Sequence, residues 1–494
     1  MALDQGTTGT TALVVEFDGQ KGQVIGRSTE NFSQHSPKQG WVEHDLDEIW
    51  ETVKISIQNA IAQSNISTKS IKAIGITNQR ETLCVFNRKD GQPLRKAIVW
   101  QCRRSSSICE KMKHDETSIK KKTGLLLDPY FTGTKLTWIH DHEPEIYNKL
   151  QTGEALASTI DAWLVYKLTA GQVFATEPSN ASRTLLMDLE TCQWNEDLLE
   201  KFKVPRQALP EIYSSQDNFG MTTNMDILPD GIPILGVLGD QQAALLGQGA
   251  VQPGDMKCTY GTGAFLLMNV GNQIRFSNHN LLTTVAWRVG GETTYALEGS
   301  SFIAGAAFQY LRDELLLVKD VKETANLASS EQAAPDVYFV PALTGLGAPY
   351  WNPSARGAFL GLTRGSSKNQ LIRATLEGVA FSVEDLLASM EKDAQPLLIE
   401  NICVDGGAAS NALLMQLQAD ISNKDVDCSE QIESTGIGAS YIAALGAGVV
   451  SNIHNLKHLR QSSKVFHPVQ SSVTVAKWKM GWAKAVEAVQ VFAG

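Results

Sequence analysis

Three charged residues stand where apolar runs stop, and their types suit phosphoryl transfer to a hydroxyl. Arg80 and Glu81 follow the apolar run at 71–77, and Asp240 follows another at 232–238. A neutral polyol offers hydroxyls that need both donors and acceptors, and an arginine beside a carboxylate supplies both. On a turn at a strand's carboxyl end the two converge on one ligand, whereas on a regular strand they would face opposite sides. An aspartate there can accept a hydroxyl proton while the oxygen attacks a γ-phosphate, a role contributing about a hundred- to ten-thousandfold. Blander readings stay open, because Arg80 and Glu81 also suit a surface ion pair and Asp240 a helix cap.

Two glycine-threonine turns supply the other half of such chemistry. Asp4-Gln5-Gly6-Thr7-Thr8 lies near the start, and Gly261-Thr262-Gly263 follows a strand-like stretch in the other half. Glycine lets the backbone approach an anion, and threonine adds a hydroxyl donor to the N–H groups that hold phosphate. Either turn alone also reads as a plain hairpin; the pair suggests a nucleotide bound between two halves. Asp4 suits Mg²⁺ held through water, since that ion prefers oxygen ligands and keeps much of its hydration.

The elements that must position these residues alternate in the α/β manner. Buried strands are predicted at 10–17 and 264–270, leaving the two turns, and at 71–77 and 398–404 farther on. The matching order reads as a diverged duplication. Asp405-Gly406-Gly407-Ala408 closes the last of these strands and opens a helix-like segment at 411–421, where a helix N-terminus could meet a ligand. Helical spacing recurs at 47–62 and 369–390, and the Gly/Pro-containing connector 247–254 puts a domain boundary near residue 250.

Length and composition narrow the class. The 494 residues exceed what one core usually serves, and 43% hydrophobic residues suffice for two. A net charge of -10 argues against nucleic acid, and Lys120-Lys121-Lys122 reads as a solvated helix face. The seven cysteines show no C-x-x-C spacing, which disfavours a disulfide framework or zinc site and favours a cytoplasmic protein. No signal peptide is expected, because Asp4 interrupts the amino end. The uncharged stretch 434–456 is diluted by Gly, Ser and Asn, so it reads as a buried helix packed closely on a sheet and not as a membrane span.

With these residues in hand, the chain resembles the FGGY carbohydrate kinases, which have the actin-like ATPase fold. The match runs through nearly the whole length: DQGTT at Asp4, GWVEHD at Gly40, GITNQRET at Gly75, IVWQCRR at Ile98, DPYFTGTK at Asp128, SNASRT at Ser179, GDQQAAL at Gly239, TYGTGAF at Thr259, TGLGAPYW at Thr344 and VDGGAASN at Val404. Intact NQRE and GDQQAAL resemble the glycerol-phosphorylating branch of the family and not its pentulose kinases. The resemblance implies two actin-like/ribonuclease H-like α/β domains with a cleft between them, residues 1–250 and 251–494. It implies ATP-dependent phosphorylation of glycerol to sn-glycerol 3-phosphate. Glycerol would be held by Arg80, Glu81, Tyr130, Asp240 and Gln241, with Trp100 and Phe265 as an apolar wall and Asp240 as base. On residue type alone, Trp100, Tyr130 and Phe265 read as core aromatics. The nucleotide would lie across Thr7, Thr8, Gly9, Thr11, Thr262, Gly305, Gln309, Gly407 and Asn411, with Mg²⁺ near Asp4. A homo-oligomer, dimer or tetramer, is implied as well.

The chain departs from the family's pattern at Thr11, where an arginine is usual. Losing one charge-assisted phosphate contact is expected to cost about 1.5–3 kcal/mol. The start at Met1-Ala2-Leu3 shortens the first strand and predicts a weaker anchor for Asp4. The loop 226–231 lacks the basic residues that control by a sugar bisphosphate would want. The competing readings are a kinase for another small polyol or ketose, and a nucleotide-binding regulator without phosphotransfer. Thr11 and the short start favour the regulator, while Arg80, Glu81, Tyr130 and Asp240 oppose it.

Overall fold

The computed structural model describes residues 1–17, 22–330, 336–430 and 433–494. Two large sheets repeat one topology. In the first, β1 (Ala2–Gln5) is antiparallel to β2 (Gly9–Phe17), which is antiparallel to β3 (Gly22–Asn31). On its other side β1 is parallel to β4 (Ile74–Asn78), and β4 is parallel to β5 (Ile234–Gly239). In the second sheet, β6 (Met256–Tyr260), β7 (Ala264–Gly271) and β9 (Glu292–Ser301) take the antiparallel places, and β10 (Asn401–Asp405) and β11 (Asp425–Ser429) the parallel ones. Strands β8 (Leu282–Val289) and β12 (Ser462–Phe466) add the two edges. The central order is therefore β3-β2-β1-β4-β5 in one sheet and β9-β7-β6-β10-β11 in the other. The duplication read from the turns is present in the strand order.

The strands predicted at 10–17 and 264–270 form as β2 and β7, and those predicted at 71–77 and 398–404 start later than their apolar runs. Residues 71–73 and 398–400 lead into β4 and β10 outside their ladders. The shortened β1 is nevertheless central, with Asp4 opposite Thr11 on one side and Thr77 on the other. Pairing on both sides anchors Asp4, contrary to the expectation from the short start.

The main helices are α1 (Leu46–Ser64), α2 (Thr132–His142), α3 (Asp240–Gly247), α4 (Gly305–Asp313), α5 (Lys368–Ala394), α6 (Ala412–Ser422), α7 (Ser434–Gly446) and α8 (Ser472–Ala493). Capping sets their ends. The Asp45 carboxylate accepts from the N–H groups of Asp47 and Glu48 at the start of α1, and Ser367 with Gln370 forms a capping box on α5. Helix α7 comes from the late uncharged stretch and packs on β1, β4 and β5 of the first sheet while crossing α3. Only glycine permits this crossing, because a Cβ on Gly438 would stand 1.8 Å from the Ala243 carbonyl oxygen. Among the described residues no helix is long and apolar enough to cross a membrane. All seven cysteines are free.

Candidate active site

Each glycine-threonine turn joins the first two strands of its sheet, and in each the carbonyls are tied back into the protein. In the first turn, the Gly6 oxygen accepts from the Gln5 amide at 2.8 Å and the Gln79 amide at 3.1 Å. The Thr7 oxygen accepts from Gln34 Nε2 at 2.9 Å and the Thr8 oxygen from the Phe32 N–H at 3.3 Å. In the second turn, the Gly261 oxygen accepts from the Gly305 N–H at 2.9 Å, and the Thr262 oxygen from those of Ala304 at 2.8 Å and Ala306 at 3.1 Å. With carbonyls turned inward, N–H groups and the exposed Thr8 and Thr262 are what an approaching anion meets. Gly305 begins α4 directly against the second turn; a Cβ there would lie 2.6 Å from the Gly261 oxygen.

At the carboxyl end of β4 the chain makes a strained turn. Glu81 has φ 60°, and the Thr82 N–H donates to the Arg80 oxygen at 2.8 Å. Such a conformation costs about 1–3 kcal/mol and persists where surroundings over-determine it. Here Thr132 Oγ1 at 3.1 Å and Lys135 Nζ at 2.9 Å, both from α2, donate to the Glu81 oxygen. The turn aims Arg80 and Glu81 into one buried charge cluster, as the sequence predicted for a strand-end pair; the surface-pair reading fails, since they are 2% and 1% exposed.

Arg80 grips Glu298 through two bonds of 2.6 and 3.0 Å, approaches Asp240 at 3.1 Å, and lies 3.9 Å from Glu81. Arg183 bridges the same carboxylates, donating to Glu81 at 2.6 Å and Glu298 at 3.0 Å. Burial alone would raise Glu298, but Arg183 and Arg80 overcome it and pull the carboxyl down to about 2. Burial pushes Glu81 up against the pull of the same arginines. Arg80, Glu81 and Asp240 all come from the first 250 residues. Glu298 on β9 and Lys257 on β6 join them from the second half, because strand pairing brings both onto one row of the second sheet, flanking Leu267.

Asp240 is the first residue of α3; Gly239 occupies the cap position. The Asp240 side chain accepts from the Gln241 N–H at 2.7 Å and stays 27% exposed, the one cluster carboxylate open to a ligand. Burial raises its pKa, and Arg80 opposes the rise. Beside it, Lys257 Nζ donates to Gln241 Oε1 and to Thr259 Oγ1, the latter at 2.9 Å. Asp4 is pushed up to about 8 by burial and then by the charges of Asp240 and Glu433. Carboxylates crowded in this way fit a hydrated dication, which takes one or two carboxylates and keeps its waters.

The other sequence-predicted residues fall in four groups. Trp100 and Tyr130 meet edge to face at 5.5 Å, Trp100 Nε1 donates to Thr7 Oγ1 at 3.0 Å, and the Arg183 guanidinium lies 5.7 Å from the Tyr130 ring. These contacts join the first turn to the charge cluster. Phe265 stands opposite Thr259 on β7, on the row that also carries Asp405 and Ser300. Gly407 opens on free space and Gln309 is exposed on α4. Asn411 and Thr11 have partners within the protein. Asn411 caps α6, accepting from the Leu414 N–H at 3.1 Å and donating to Thr324 at 3.0 Å, and Thr11 shares a 2.9 Å hydroxyl bond with Thr29. Sequence reasoning passed over Arg183, Glu298 and Lys257; the signal was a lone charge inside an otherwise apolar or small-residue strand or turn.

Paired sheets of this strand order, with a hairpin turn at the same place in each and strand-end carboxylates, define the actin-like ATPase fold. Models of the FGGY family of carbohydrate kinases match residues 1–247 (N-terminal domain) and 256–447 (C-terminal domain). The chain belongs to the FGGY family. It is 48% identical over 491 residues to the glycerol kinase of Myxococcus xanthus, covering 99% of this chain and 98% of that protein. It is 46% identical over 488 residues to the glycerol kinase of Alkaliphilus metalliredigens, covering 98% and 97%. The crystal structure of Plasmodium falciparum glycerol kinase with ADP superposes with a TM-score of 0.92 at 35% identity, over 99% of this chain and 97% of that one.

Proposed function

We propose that this protein transfers the γ-phosphate of ATP to glycerol, forming sn-glycerol 3-phosphate, the first step of glycerol utilisation. The observation that carries the reading is Asp240, exposed at the mouth of a buried cluster whose other charges already pair with one another. Full-length similarity to glycerol kinases supports the choice of substrate.

In this reading Arg80, Glu81, Tyr130 and Gln241 bond the hydroxyls, and Trp100 and Phe265 cover the carbon face. Asp240 accepts the proton of the attacking hydroxyl, whose oxygen bonds the γ-phosphorus as the bond to the ADP oxygen breaks. Burial raises its pKa, which favours taking that proton, and Arg80 opposes the rise. The two turns, with Gly305, Gln309 and Gly407, hold the nucleotide. Mg²⁺, held through water near Asp4, would supply charge neutralisation at the phosphates. Residues 1–250 and 251–494 act as two bodies closing on the substrates, with the α3–α7 crossing between them. Exposed apolar side chains on α8, among them Val473, Val491 and Phe492, support a homo-oligomer. The seven free cysteines support a cytoplasmic setting.

The test is ATP-dependent phosphorylation of glycerol by the wild type and by Asp240→Asn, with dihydroxyacetone and xylulose in parallel. Turnover on glycerol is expected to fall about a hundred- to ten-thousandfold in Asp240→Asn while the thermal midpoint is retained. A site that bonds each hydroxyl rejects analogues lacking one by about ten-thousandfold. Faster turnover on xylulose than on glycerol would overturn the substrate assignment, and ATP binding without turnover on any of the three would favour the regulator.

A further inference from the structure

The inward-facing carbonyls of the first glycine-threonine turn, those of Gly6, Thr7 and Thr8, have supports that meet at one fully buried side chain, His44. It lies on the short strand Glu43–His44, which pairs with Ala97–Ile98 just before Trp100. One small strand pair therefore carries both His44 and the indole that reaches Thr7. His44 Nε2 lies 2.6 Å from Gln34 Oε1, and His44 Nδ1 lies 3.3 Å from Gln79 Nε2. Gln34 Nε2 in turn donates to the Thr7 oxygen at 2.9 Å, and Gln79 Nε2 to the Gly6 oxygen at 3.1 Å. The bonds form a closed ring that leaves the turn at one carbonyl and returns to it at the next. The imidazole packs edge to face on Phe32 at 4.9 Å, and the Phe32 N–H donates to the Thr8 oxygen at 3.3 Å.

This ring of bonds admits one arrangement of protons. A carbonyl oxygen only accepts, so the nitrogen ends of both glutamine amides must point at the turn. Gln34 then offers its oxygen to His44 and Gln79 its nitrogen, which requires Nε2 of the imidazole to donate and Nδ1 to accept. Only a neutral imidazole does both. Burial lowers the His44 pKa to about 4, with His35 adding to the shift and Glu48 opposing it, which keeps the ring neutral. Gln34 is exposed, so water competes for its amide and its orientation depends on what it bonds. Gln79 is buried and also accepts from Thr82 Oγ1 at 2.9 Å, on the side of the charge cluster.

We propose that His44 is a positioning residue for the nucleotide, orienting the amides of Gln34 and Gln79 so that both draw carbonyls of the first turn inward and leave N–H groups and threonine hydroxyls to meet phosphate. The inference rests on the reading of this turn as a phosphate cradle. An amide reversed at either glutamine would set oxygen against oxygen, and the released carbonyl would turn toward the anion that the cradle must hold. His44 thus acts on phosphate through two glutamines and not by contact.

The test measures ATP binding by calorimetry without glycerol, in His44→Phe, His44→Gln and Gln34→Leu and in the double variants. His44→Phe keeps an aromatic ring against Phe32 and removes both ring nitrogens, and ATP is expected to bind about tenfold more weakly. Gln79 keeps its bond from Thr82, so the KM for glycerol is expected to stay within about threefold of the wild type. Gln34→Leu alone is expected to weaken ATP about threefold, and to add less than about twofold in the His44→Phe background, where the bond it removes is already idle. His44→Gln retains a donor toward Gln34, so Gln34→Leu is expected to regain its effect there, a rescue that general loosening of the core would not give. That pair carries the test if His44→Phe fails to fold. ATP binding within about twofold of the wild type in folded His44→Phe overturns the inference, as does an equal loss for glycerol or a Gln34→Leu effect that is the same in the wild type and His44→Phe. Gln34→Leu without effect on ATP in the wild type or in His44→Gln overturns it as well. A wild type that binds no ATP removes the kinase reading together with this inference, so the wild-type measurement separates the two failures.

Discussion

The two glycine-threonine turns have the same hairpin position and tie their carbonyls inward by different means. Around the first turn most of the donors are side chains, from Gln5, Gln34 and Gln79. Around the second they are the backbone N–H groups that open α4, at Ala304, Gly305 and Ala306. A side-chain solution can be lost by substitution of a distant glutamine, and it couples the turn to its neighbours. Gln79 lies beside Arg80, and Trp100 reaches Thr7 from the wall of the charge cluster. A backbone solution is indifferent to most side chains but demands glycine where helix and turn touch. Duplicated topology therefore preserved the cradle while its supports diverged.

That contrast can be broken most severely at the residue joining the halves. Glu298→Gln removes the one carboxylate that both Arg80 and Arg183 hydrogen-bond, and is expected to cost about 3–5 kcal/mol by thermal or urea unfolding. The same residue sets an acid limit. Its folded pKa of about 2 lies below the unfolded value of 4.5, so its contribution is present above pH 4.5 and lost as pH falls toward 2. Glu298→Gln is expected to flatten stability in that window; an unchanged acid limb would remove the cluster from the account.

Gly305→Val acts on the backbone-supported turn. The added Cβ meets the Gly261 oxygen, and a loss of about 1–3 kcal/mol in ATP affinity is expected by calorimetry, with glycerol affinity retained. Gln79→Leu acts on the side-chain-supported turn and is expected to cost about 1–2 kcal/mol, weakening both ligands because that turn abuts the cluster. Equal selectivity of the two variants for ATP over glycerol would erase the distinction between the turns. Trp100→Phe removes the 3.0 Å bond to Thr7 together with part of the ring that meets Tyr130, and is expected to shift ATP affinity by about 0.5–1 kcal/mol.

Much of the fold was legible because its signals are local. Apolar runs ending in Gly-Thr or charged turns marked β1, β2, β6 and β7, and helical spacing marked α1 and α5 to within a few residues. Strand starts were misjudged at 71 and 398, since hydrophobicity reports burial and not ladder pairing. Asn411, read toward the nucleotide, also caps α6 and bonds Thr324 through its amide. Cap residues and ligand residues share the same types, so the sequence could not separate them.

By itself the sequence determined the turns, the strand-end Arg80, Glu81 and Asp240, and membership of the family, because each is written in a few consecutive residues. Tertiary structure alone decided what those charges meet. Arg80 and Glu298 are 218 positions apart, and α7 crosses from late in the chain to pack on the first sheet. The reason is physical: propensity and periodicity act over a few residues, while a buried charge is tolerable only beside its opposite, and that partner is chosen by which strand ends the completed fold brings together.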